Sequence, residues 1–104
     1  MLNCKDEFLE HTEGLQPLCA HIYKGDPDYY EEVERVAYLK VGYTSDDFLN
    51  FLKEVDFEYN NGFGGQELFG TIWYTDGTWS ERKEYDGSEW WARKKCPHIP
   101  DCLK

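Results

Sequence analysis

The sequence predicts an α+β fold: a four-stranded antiparallel sheet with one helix packed across one face and a short helix at the N-terminus. Three features carry that expectation. Two Asp-Gly dipeptides, Asp76-Gly77 and Asp86-Gly87, punctuate runs rich in Trp, Tyr and Thr, as two-residue hairpin turns do. A period-two apolar row runs from Val33 to Tyr43. The period then changes to helical spacing over Phe48, Phe51, Leu52 and Val55. With 104 residues, the chain is expected to form a single domain, 1–104, around one modest core.

The first element, "CKDEFLEHTEGL", predicts a short helix with Phe8 and Leu9 turned inward and Gly14 as its stop. "QPLCAHIYKGDPDYY" is broken by Pro17, Gly25 and Pro27 and predicts a loop. In "EEVERVAYLKVGY", Val33, Ala37, Leu39, Val41 and Tyr43 form one face of a strand. Thr44 or Ser45 caps the helix from Ser45 to Val55, and Asp46 and Asp47 suit its positive end. "EYNNGFGGQ" predicts a loop; its glycines lack the following helix and lysine of a phosphate loop.

Two-residue turns would pair Tyr74 with Trp79, Ile72 with Glu81, Arg82 with Trp91 and Ser80 with Arg93. Alternation then gathers Leu68, Ile72, Tyr74, Trp79, Tyr85, Trp90 and Ala92 on a core face. The opposite face collects Trp73, Arg82, Trp91 and Arg93, an aromatic and guanidinium set suited to cation–π contact and to a binding surface. A bulge would exchange the faces beyond it.

The net charge of −10 is unevenly placed. Residues 1–60 carry 14 carboxylates against 5 Lys or Arg, and residues 61–104 carry 7 against 6. The densest acidic patch comprises Asp26, Asp28, Glu31, Glu32 and Glu34, with Tyr29 and Tyr30 among them. Such a patch repels nucleic acid and attracts basic surfaces, although charged runs also serve simply as solvated faces. It predicts a protein partner with a basic surface, with neither nucleic acid nor membrane as direct partner. A second copy of the chain is a further occupant of the tryptophan face.

No long apolar run is present, and "MLNCKDEFLE" has charges where a secretory signal needs apolar residues, so a cytoplasmic protein is expected. Free thiols are expected for Cys4, Cys19, Cys96 and Cys102 in that compartment. An alternative reading is a small zinc-stabilised domain with ligands from Cys19, His21, Cys96, His98 and Cys102, which include two Cys-x-His pairs outside any standard zinc-finger spacing. His11, His21 and His98 stand in no catalytic motif, and the chain is expected to be non-enzymatic, with no cofactor. A small-molecule enzyme using carboxylates between the glycine loop and the meander is the remaining alternative.

The segment "ELFGTIWYTDGTWSERKEYDGSEWWARKKCPHIP", with the preceding "YTSDDFLNFLKEVDFEYNNGFGGQ", resembles small proteins encoded by tailed bacteriophages. The resemblance covers about the C-terminal two thirds of the chain and implies cytoplasmic residence in a bacterial host. It also implies an inhibitor that binds a host defence or nucleic-acid-handling protein, in some cases by imitating the charge of DNA.

Overall fold

The computed structural model describes residues 1–29, 33–60, 65–96 and 101–103. Two helices and seven strands in two sheets are described, in the order β1 (Leu2–Asn3), α1 (Cys4–His11), β2 (Pro17–Lys24), β3 (Arg35–Leu39), α2 (Ser45–Glu54), β4 (Glu58–Tyr59), β5 (Leu68–Tyr74), β6 (Trp79–Tyr85) and β7 (Ser88–Lys94). A five-stranded antiparallel sheet runs β3-β2-β5-β6-β7, and β1 pairs with β4 separately. The α+β class holds, but the expected single four-stranded sheet does not. No helix among the described residues is long and apolar enough to cross a membrane.

The missing strand is β2, predicted as a loop. Pro17 occupies its first position, where a missing N–H is tolerated, and its register shifts between Pro17 and Cys19. Beyond it, Ala20 and Ile22 point into the core. Their neighbours Cys19, His21 and Tyr23 point outward but are themselves apolar or aromatic, so the sequence lacks the polar half of the alternation. β3 is shorter than expected: the chain turns at Lys40–Tyr43, with Gly42 at φ 85°, and Val41 is left exposed.

The helix α2 follows the expectation closely. Thr44 and Asp47 form a reciprocal capping box, and Phe51 and Val55 are buried. The helix α1 is capped by Asn3 and buries Cys4 and Phe8, whereas Leu9, expected inside, is exposed. Phe8 and Phe51 meet edge to face at 5.3 Å. Both helices and β4 share one core with Ala20, Ile22, Ala37, Leu39, Leu68, Ile72, Tyr74 and Trp91, all on one face of the large sheet.

The second Asp-Gly turn is as predicted: Asp86 and Gly87 both have positive φ, and Arg82 pairs with Trp91 and Ser80 with Arg93. The first is one residue longer. Gly77 N–H donates to Tyr74 O and Tyr74 N–H to Thr78 O, so Trp73 pairs with Trp79 and Ile72 with Ser80. Thr75, Asp76 and Gly77 form a three-residue loop with Gly77 at φ 86°. That residue inverts the expected faces of β6 and β7 relative to β5.

Past Thr71 and Glu81 the pairing of β5 with β6 ends, and side chains stand in for a strand. Glu89 accepts from the N–H groups of Glu67 (2.7 Å) and Leu68 (3.0 Å), and Gln66 donates to Leu68 O at 2.6 Å. On the other side, Gly70 lies so close to β2 that a Cβ would come within 2.3 Å of His21 O.

Candidate functional site

The helices and β4 cover one face of the large sheet; the opposite face is the more open one. By register this open face carries Val36 and Tyr38 of β3, Cys19, His21 and Tyr23 of β2, and Phe69, Thr71 and Trp73 of β5. It continues through Trp79, Glu81 and Lys83 of β6 to Trp90, Ala92 and Lys94 of β7. Tyr38, Trp73 and Trp90 are exposed by 54%, 39% and 43%, values high for such rings and available for contact.

The rings are mutually arranged. His21 sits 5.3 Å from Trp73 and 5.2 Å from Tyr23, and Tyr23 meets Tyr38 edge to face at 6.1 Å. Trp79 Nε1 donates to Glu81 at 2.8 Å, which orients the indole, and Lys94 lies 3.9 Å from the same carboxylate. Partial burial lowers the His21 pKa, favouring the neutral ring. Hydrogen bonding to Tyr38, then burial, raises that of Tyr23. Lys83 is lowered by its neighbour Lys94. With Glu81 against Lys83 and Lys94, the face is slightly cationic although the chain carries −10.

The acidic patch adjoins this face. Asp26 closes the end of β2 by accepting from Asp28 N–H through its side chain and from Tyr29 N–H through its carbonyl. Glu34 pairs with Lys24 at 3.4 Å, and Tyr29 is 65% exposed. Pro27 and Tyr23 together line two shallow hollows of about 460 and 470 Å³, one shared with Glu34 and Tyr38, the other with His21 and Phe69. Tyr30, Glu31 and Glu32 lie outside the described residues.

Of the expected surface of Trp73, Arg82, Trp91 and Arg93, only Trp73 is on the open face. Arg82 and Trp91 point into the covered side and are buried, and Arg93, on the same side, is exposed at its margin and paired with Asp76 at 2.8 Å. The cation–π contact expected of Arg82 and Trp91 forms, at 5.1 Å, but internally. Trp79 and Trp90, expected in the core, face outward. The one-residue difference at the first turn accounts for each of these reversals.

Beneath α1 lies a buried polar cluster that no sequence motif signals. The Arg82 guanidinium binds Glu89 (2.7 Å), Glu7 (2.8 Å) and the Tyr59 hydroxyl (3.1 Å). Next to it His11 Nε2 lies 2.8 Å from Ser80 Oγ, which is 2.7 Å from the Tyr74 hydroxyl. Burial pushes the Cys4 thiol up to about 12 and lowers His11. The Ser80–His11 pair could suggest a nucleophile and base, but Ser80 has no solvent exposure, so no substrate can reach it. These bonds tie α1 to the sheet.

Cys19 and His21 lie on the open face, Cys96 and Cys102 are exposed, and His98 is outside the described residues. Among the described residues no three His, Cys, Asp or Glu side chains gather as a metal site, and Cys4, Cys19, Cys96 and Cys102 are free thiols. His21 and Tyr23 belong to this surface because β2 is a strand where the sequence predicts a loop, and Trp79 and Trp90 because the longer first turn reverses the expected faces of β6 and β7. Comparison with family models, curated proteins and solved structures finds no match to this chain.

Proposed function

We propose that this chain is a non-enzymatic protein-binding domain whose partner seats on the open aromatic face and meets the adjoining acidic connection with a basic surface. The observation that carries the reading is the uncovered sheet face with exposed Tyr38, Trp73 and Trp90, continuous with the patch of Asp26, Asp28 and Glu34. Aromatic groups held on a rigid sheet lose little freedom on binding, and the charge of −10 disfavours nucleic acid as the ligand. Occupying a basic surface that otherwise holds nucleic acid would block it, so the activity in view is inhibition of a host nucleic-acid-handling or defence protein.

The test is affinity purification from a bacterial lysate, followed by identification of the retained protein and competition with duplex DNA. Retention should be lost with Trp73→Ala/Tyr38→Ala. It should weaken by at least about tenfold when Asp26, Asp28, Glu31, Glu32 and Glu34 are neutralised. A partner retained equally by both variants, or indifferent to DNA, would overturn the proposal.

A further inference from the structure

A second surface, separate from the open face except at Trp90, lies where β7 meets α1. A groove of about 730 Å³ there is lined by Asp6, Glu10 and His11 of α1, Glu58 of β4, and Trp90 and Trp91 of β7. Consecutive strand residues send their side chains to opposite faces, so a groove lined by both Trp90 and Trp91 passes the edge of the strand. β7 ends the sheet order, and among the described residues no strand pairs with its outer side. Alternate residues of such an edge turn N–H and C=O groups outward, ready to pair with an added strand.

The lining has a definite sign. Glu7, also in the groove wall, is committed to Arg82 and Tyr59, but Asp6, Glu10 and Glu58 are exposed and form no ion pair among the described residues. Trp91 is nine-tenths buried in the same wall, and its indole Nε1–H has no hydrogen-bond partner there. Trp90, 43% exposed, presents a ring on which a cationic side chain can stack.

We propose that this groove binds an extended peptide segment bearing lysine or arginine, which adds to β7 as a sixth strand. Main-chain pairing along the edge holds the segment, and the three free carboxylates select cationic side chains at the alternate positions that face α1. A second copy of the chain is disfavoured as occupant, because edge-to-edge pairing of two β7 strands would bring two such carboxylate sets together.

Binding is measured by fluorescence anisotropy with a labelled ten-residue peptide alternating lysine and valine, a glutamate and valine counterpart, and two lysine versions N-methylated at every second backbone nitrogen in either register. The lysine peptide should bind saturably and the glutamate peptide should not. One N-methylated version should lose at least about tenfold in affinity, because it blocks the edge that faces β7. D6N/E10Q/E58Q should weaken binding by at least about tenfold, whereas D46N/E54Q/D86N, which removes equal charge elsewhere, should leave it within about twofold. Both triple variants replace exposed carboxylates by amides of the same shape, and unchanged circular dichroism melting verifies their folding. Trp73→Ala should bind the peptide normally, which separates this groove from the partner surface proposed above. No saturable binding, equal weakening by both triple variants, or indifference to N-methylation in both registers would overturn the proposal.

Discussion

The two Asp-Gly turns share a dipeptide and differ in geometry. At the second, Asp86 adopts φ 52° and Gly87 φ 85°, a two-residue turn whose Gly87 N–H donates to Glu84. At the first, the Asp76 carboxylate accepts from both the N–H and the hydroxyl of Thr78, and only Gly77 takes positive φ. A residue beyond the dipeptide thus selects a three-residue loop. Strand side chains repeat every two residues, so this one-residue difference decides which face of β6 and β7 is inside. Aromatic content carries no such information, since tryptophans occupy both faces.

The strongest way to break the comparison is to make the turns alike. Deleting Thr75 would give the first turn two residues, directing Ser80, Arg82 and Trp91 outward while α1 and β4 keep their demands on them. The expected outcome is loss of the cooperative thermal transition, followed by near-ultraviolet circular dichroism. Retention of that transition would show that the first turn does not set the register.

A smaller effect separates the adjacent tryptophans. Trp91 contacts Arg82 and stacks on His11, so Trp91→Ala should cost about 3 to 5 kcal/mol of folding stability in urea denaturation. Trp90→Ala, on the open side, should cost about 1 kcal/mol or less. Equal costs would contradict the inversion of faces.

The smallest effect sharpens the comparison through pH. His11 meets Ser80 only because Ser80 faces inward, and burial, with Arg82 and Arg93 nearby, lowers its pKa below the usual 6.5. Glu7 opposes that shift, and burial outweighs it. A base lowered on folding contributes stability that is present above 6.5 and is lost as pH falls through the lower folded value. Unfolding free energy should therefore decline on acidification below pH 6.5, with a shallower decline in His11→Gln. An unchanged slope in that variant would remove His11 from the account.

Much of the fold is legible in sequence wherever local chemistry suffices. The α2 cap, its apolar stripe, α1 and the second hairpin all rest on residues within a few positions of one another. The misreadings come from long-range packing. Tyr23 and His21 look like core or loop residues until β3 and β5 flank them, and Glu89 looks like a solvent-facing strand residue until Arg82 and the Leu68 N–H converge on it. For the candidate site, the acidic residues and Trp73 could be named in advance. The remaining aromatic surface required the strand order.

The side-chain bridge from Glu89 to Glu67 and Leu68 also bears on how the molecule opens. β5 is matched to β2 through seven residue pairs and β6 to β7 through seven, but β5 to β6 through only three. The β6–β7 ribbon is therefore joined to β5 by a narrow seam and a carboxylate rivet, with Ser80 and Arg82 also bonded to α1 and β4. Transient release of that rivet would let amide hydrogens along the seam exchange with solvent through partial opening, while those between β2 and β5 await global unfolding.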